Sequence, residues 1–169
     1  MEILQAGQPI LKEQAKAVEQ IDKRVVRILE AMKSTMDEYG IHGLSAPQIG
    51  EPYRIVTIDM GDGVLYEMIN PVITNKRNEK LCNEGCISVP QFNGTVVRAT
   101  FIECEFYDRK GEWLHLAAEG ALAVAIQHEV DHLDGIMFLD KAVSIVPVRQ
   151  VAMNRSKPYI SNIGVNRLV

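Results

Sequence analysis

The rhythm of apolar and polar positions changes along the chain, and each change marks a predicted element. Between Asp22 and Tyr39, the residues Val25, Val26, Ile28, Leu29, Met32 and Met36 recur at helical spacing. That spacing predicts an amphipathic helix with one face on a core. Asp22 stands where a side-chain oxygen caps a first turn, and Gly40 where a left-handed residue ends a last one. The period then shortens. Arg54–Asp59, Val64–Ile69, Val96–Ala99 and Ile102–Tyr107 are rich in β-branched and aromatic residues and predict strands. Asp62-Gly63 and Lys110-Gly111 supply turns between them. Glu119–Asp134 is apolar, rich in alanine and closed by Gly135, which predicts a second helix. Strands grouped between two helices indicate an α+β fold rather than an alternating α/β sheet.

Composition adds limits. A chain of 169 residues suits one domain, and 47% hydrophobic with 24% charged residues is ordinary for a globular protein. A net charge of −4 excludes whole-molecule electrostatic binding of nucleic acid. The charge is nevertheless split. Up to Asp140, 13 basic residues against 22 acidic ones give −9, and beyond it Lys141, Arg149, Arg155, Lys157 and Arg167 meet no acid. The chain therefore divides into residues 1–140 and a basic extension, 141–169, of the same domain. No apolar run reaches the roughly 18–20 residues that span a bilayer. Met1–Gln5 lacks a basic region followed by an apolar core, so a cytoplasmic protein without a membrane partner is expected. Cys82, Cys86 and Cys104 make an odd count, better suited to reduced thiols than to a disulfide framework.

The sharpest chemical signal lies on the second helix, at His128-Glu129-Val130-Asp131-His132. Histidines at i and i+4 share a helical face one turn apart and can bind one metal ion, with the intervening glutamate as general base. Ala125 and Ala121 continue that face and leave room for an ion and a substrate. The apolar stretch Leu122–Ile126 argues against a solvated surface helix. Zincin-type proteases add a third ligand downstream, but after His132 there is neither Glu nor His, only Asp134 and Asp140 close to the helix end. The third ligand is expected upstream, in Glu84-Gly85-Cys86-Ile87-Ser88. A thiolate is a strong ligand for zinc or ferrous iron, and three protein ligands leave a catalytic position open. Cys82, lacking the adjacent glycine, and Cys104 are expected in the core.

Together these segments resemble peptide deformylases. The family's motifs are matched in order by Gly43-Leu44-Ser45-Ala46-Pro47-Gln48, by Glu84–Ser88, and by Gln127-His128-Glu129-Val130-Asp131-His132-Leu133-Asp134-Gly135. The resemblance covers residues 1 to about 140. It implies an α+β fold in which antiparallel or mixed sheets pack around a central metal-binding helix. It implies one divalent ion per chain, held by Cys86, His128 and His132, with Fe²⁺ as the working metal and Zn²⁺ or Ni²⁺ able to substitute. The implied substrate is the N-formylmethionyl end of a new polypeptide, and formate is released. The ion activates a water, Glu129 takes its proton and returns it to the departing amine, and the Gln48 amide and the Ile87 backbone N–H stabilise the oxyanion. The peptide would lie as an added strand against His42, Gly43 and Gly85. Glu84 would pair with Arg98 as scaffold.

Ile41 and His42 fill positions where the family has glycine and then a hydrophobic residue. His42 could narrow the methionine pocket, add a polar contact or point outward, so an amidase acting on other N-acyl peptides is the alternative activity. Ser45 stands for alanine and is read as a small spacer. Many members end in a basic helix that docks on the ribosome. Here Pro147 and Pro158 interrupt the segment. A short helix near Val148–Asn154 and an extended Tyr159–Val169 are expected, either contacting ribosomal RNA or solvated. A non-catalytic ribosome-binding relative would lack a ligand or the base, yet Gln48, Cys86, His128, Glu129 and His132 are all present.

Overall fold

The computed structural model describes residues 1–148. The first helix, α1 (Lys23–Tyr39), begins where the Asp22 side chain accepts from the Arg24 and Val25 N–H groups, at 2.8 and 3.1 Å, and ends at Gly40 with φ 64°. Six strands lie among the described residues, of which β2, β3 and β4 answer to expected segments and β1, β5 and β6 do not: β1 (Gly43–Ser45), β2 (Ile55–Asp59), β3 (Leu65–Gly85), β4 (Phe92–Tyr107), β5 (Trp113–Glu119) and β6 (Ser144–Pro147). Between β5 and β6 come α2 (Gly120–Leu133) and a single turn, α3 (Phe138–Lys141).

The strands form one sheet, paired antiparallel throughout in the order β1-β2-β3-β4-β5, and β6 adds to β4 by pairing Ser144 with Thr95. Two of the expected strands, Val96–Ala99 and Ile102–Tyr107, are one continuous β4, and the expected Val64–Ile69 is only the start of β3. Asn70-Pro71 does not end β3, because the ladder absorbs it in register shifts between Ile69 and Val72 and between Ile73 and Asn75. Asn70, at φ 52°, turns its side chain to grip the Val18 N–H and C=O, both at 2.8 Å. That pair ties the N-terminal segment to the sheet.

Strand β2 is buried on both faces and explains how two helices share one sheet. Ile55 packs with Leu29, Met32 and Met36 of α1, while Val56 and Ile58 pack with Ala123, Ile126 and Leu133 of α2. Gln127 fastens α2 to β4 by accepting from the Ala99 N–H and donating to the Ala99 carbonyl at 2.7 Å. Cys86, Val89, Val96, Met137 and Phe138 form a third apolar cluster beside the end of β3. Gly135 stops α2 at φ 72°, and a side chain there would strike the Lys12 carbonyl oxygen at 2.5 Å. Cys104 is buried as expected, but Cys82 is not a core thiol: it is half-buried on β3 opposite Val96. Its neighbour Leu81 is exposed, because this stretch of β3 has solvent on both faces.

The division at residue 140 falls inside continuous structure, since Lys141 ends α3 and β6 joins the sheet. Val148 lies outside any helix, and the remainder of the expected helix and the extended Tyr159–Val169 lie outside the described residues. No helix among the described residues is long and apolar enough to cross a membrane.

Candidate metal centre and its cleft

Helix α2 carries His128 and His132 one turn apart, and their Nε2 atoms stand 3.2 Å from each other. The chain leaving β3 brings the Cys86 Sγ to 3.3 Å from the His132 Nε2. All three donor atoms lie within 4.8 Å of one another. In a four-coordinate site, metal–nitrogen distances of about 2.0–2.1 Å and a metal–sulfur distance of about 2.3 Å put neighbouring donors roughly 3.3–3.6 Å apart. The observed separations suit a cation at their centre. Asp134 and Asp140, the acids downstream of the helix, are paired instead with Arg54 and Lys12, each at 2.6 Å.

The electrostatics fit the same arrangement. Burial and the charge of His128 hold the His132 pKa well below its ordinary value, which leaves a lone pair available. Burial opposes charge on His128 as well, but its contacts with Cys86 and Glu84 prevail and raise it. The His128 Nδ1 lies 2.8 Å from Glu84 Oε2, so this nitrogen donates and Nε2 faces Cys86 and His132. Burial outweighs the pull of His128 on Glu129 and pushes its carboxyl up to about 7. The Glu129 Oε2 has no hydrogen-bond partner among the described residues.

Glu84, Cys86, His128 and Glu129 line one side of a cleft that opens to solvent. His42, Gly43, Gln48, Gly85, Ile87 and Glu129 all border it. Val124 and Ala125 form its helical wall; Ala121, expected there, does not, because the face that reaches the cleft turns to Val124 one turn earlier. The Gln48 amide is oriented by its partners. Its Oε1 accepts from both the N–H and the hydroxyl of Ser45, each at 2.9 Å. That leaves Nε2 toward Ser88 Oγ at 3.2 Å and Cys86 Sγ at 3.5 Å. Ser45 is therefore more than a spacer. The Ile87 N–H donates to no acceptor among the described residues. His42 neither fills the cleft nor points freely outward: its Nδ1 is 2.9 Å from the Asp59 carbonyl oxygen.

Gly43 matters through what it lacks. A Cβ on Gly43 would lie 2.6 Å from Glu129 Oε1, so β1 and the glutamate can be neighbours only with glycine there.

The family model for polypeptide deformylase matches residues 1–147. The chain belongs to the polypeptide deformylase family. It is 47% identical to a peptide deformylase of Pelotomaculum thermopropionicum over 143 residues, covering 85% of this chain and 92% of that protein. Among solved deformylases, that of Thermotoga maritima superposes with a TM-score of 0.80 at 33% identity, covering 84% of this chain and 97% of that one. The Synechococcus elongatus deformylase in complex with actinonin reaches 0.82 at 33% identity, over 85% and 79%. Deformylases are metal-dependent, and the Cys86–His128–His132 cluster is the candidate metal site of this one. The pair that the family resemblance implies is present: Arg98 Nε and Nη2 donate to the two Glu84 oxygens at 2.6 and 3.0 Å. No role was expected for Asp131 or Ser88, and Lys141, expected as the first charge of the basic extension, is instead bound to Asp131. The signal available for Asp131 was a charged residue that follows the apolar stretch Leu122–Ile126 on the helix.

Proposed function

We propose that the cleft takes the N-formylmethionyl end of a new polypeptide and that the chain hydrolyses its formamide to formate and a free α-amine. One observation carries the assignment: a thiol and two imidazoles converge beside a buried carboxylate with an unpartnered oxygen and an amide whose N–H end faces the same point. Cys86, His128 and His132 would hold a divalent ion, Fe²⁺ in the cell with Zn²⁺ or Ni²⁺ as substitutes. A divalent ion in such a set supplies Lewis-acid activation of water.

The protein's own groups do the rest. Glu129 accepts the water's proton, and its elevated pKa suits returning that proton to the departing nitrogen. The Gln48 Nε2–H and the Ile87 N–H donate to the oxygen that becomes negative on the formyl carbon. Among the described residues, strand β1 is paired on one edge only, by β2. Its cleft side, at His42 and Gly43, together with Gly85 across the opening, offers backbone groups to an extended peptide. The tethering of His42 to the Asp59 carbonyl supports a fixed polar wall on the side of the pocket nearest β1. Arg149, Arg155, Lys157 and Arg167 retain the proposed role of contacting ribosomal RNA.

The test is formate release from formyl-Met-Ala-Ser by protein purified anaerobically with iron, beside acetyl-Met-Ala-Ser and a Glu129→Ala variant. Formate release that the variant loses, with the acetyl peptide untouched, is expected. Hydrolysis of the acetyl peptide at a comparable rate would replace this assignment with a broader N-acyl amidase.

A further inference from the structure

The metal ligand His128 is the end of a hydrogen-bonded ion chain that starts at the end of α3. Lys141 Nζ, at the end of α3, donates to Asp131 Oδ1 at 2.6 Å. Asp131 Oδ2, on α2, accepts from Arg98 Nη1 at 2.5 Å. Arg98, on β4, forks onto both oxygens of Glu84 at the end of β3, and Glu84 accepts from His128 Nδ1. Cation and carboxylate alternate, and every oxygen of both carboxylates is used. The Arg98 side chain is 3% exposed and that of Glu84 5%, whereas that of Lys141 is 37% exposed. Lys141 is thus the one member that water reaches readily.

We infer that Lys141 is a positioning residue for the metal centre, acting through Asp131, Arg98 and Glu84 to hold the His128 imidazole at the ion. This rests on the metal-site assignment above. Burying charged groups is tolerable only when each is fully partnered, and removing one partner leaves the next unbalanced. Without Lys141, Asp131 has only Arg98, and its freed oxygen competes with Glu84 for the same guanidinium. Glu84 then grips His128 less firmly. Partners that orient a metal-bound histidine govern how tightly the ion is retained. Lys141 would therefore be the first basic residue after Asp140 in sequence and yet serve the centre rather than a tail.

The experiment loads the full chain with one cobalt(II) ion, adds excess EDTA and follows loss of the cobalt absorbance. Lys141→Met should speed release about 3- to 10-fold and Glu84→Gln about 10- to 100-fold, the range seen when the partner of a metal-bound histidine is removed. Lys141→Arg should restore release to within about 2-fold of the parent. Lys12→Met removes the exposed ion pair that Lys12, from the N-terminal segment, makes with Asp140 of the same helix α3, and should leave the rate unchanged. Parental release from Lys141→Met would overturn the inference alone. Equal acceleration by Lys12→Met would also overturn it, since general loosening of α3 would then suffice. A parent protein that binds no cobalt would overturn the metal-site assignment itself, and the inference with it.

Discussion

Replacing Gly43 by alanine probes the site through a single added carbon. The new Cβ would stand 2.6 Å from Glu129 Oε1 and 3.3 Å from its Cδ and Cγ. Ordinary non-bonded separation is roughly 3.5 Å, so carboxylate and strand must part by about 0.9 Å. Strand β1 is held by β2 through the Gly43–Ile58 register, and the Asp59 N–H bonds the His42 carbonyl at 2.8 Å. Glu129 is the freer partner and should move. Misplacing a reacting group by about 1 Å costs on the order of 100-fold in rate, or about 2.7 kcal/mol of barrier. Overpacking should also cost about 1–3 kcal/mol of stability. The assay measures kcat for formate release at saturating peptide on protein with verified metal content, together with urea unfolding. A fall in kcat on the order of 100-fold in a folded, metal-loaded variant is expected. A kcat within about 2-fold of the parent would mean that the carboxylate's position is not what limits proton transfer.

Glu129→Gln should retain one ion per chain by metal analysis yet lose turnover by about 10²- to 10⁴-fold, and parental turnover would move the proton to another group. Ser45→Ala removes one of two donors to Gln48 Oε1 while the backbone donor stays. A single hydrogen bond of this kind is worth about 0.5–1.5 kcal/mol, so kcat should fall roughly 2- to 12-fold with KM unchanged. A change in KM alone would show that Ser45 acts on ground-state binding instead. For Glu84, burial works against ionisation, but His128 and Arg98 prevail and lower its pKa from 4.5 to about 2. The stabilisation from that shift is full above pH 4.5 and is lost as pH falls through 2, amounting to about 3 kcal/mol. Urea unfolding of metal-free protein across that window should show the loss, and Glu84→Gln should flatten it; an unchanged pH slope would refute the assignment.

The elements legible in the sequence are those whose signals are local. For α1, the apolar stripe, the Asp22 cap and the Gly40 stop all point to the same ends. The long β3 was cut short because Asn70-Pro71 and the polar run Thr74–Lys80 resemble a loop, while bulges, and solvent on both faces from Lys76 to Leu81, let a strand carry them. Strand β1 has too few residues to show a period, and β5 lacks a clean alternation because it lies at a sheet edge with most of its side chains exposed. The ligand helix was legible because His128, Glu129 and His132 fall within five consecutive residues. What orients these groups was less legible, because Lys141 meets them only through tertiary contacts and looked like the first charge of a basic tail, while the local bond from Ser45 to Gln48 showed only as a small polar residue three positions earlier.

The separation of the ligands along the chain has a consequence for how the protein comes together. His128 and His132 are neighbours as soon as α2 forms, but Cys86 is 46 residues from His132. It meets them only where the turn between β3 and β4 docks on that helix. An ion bound at all three groups is therefore a clasp across that 46-residue separation, and an unfolded chain cannot hold it in the same way. At a free ion concentration of 1,000 times the dissociation constant, such selective binding adds about 4 kcal/mol to the folded state. Opening the hairpin from the helix and releasing the ion become a single event, so the lifetime of the ion measures how often the fold comes apart at that seam.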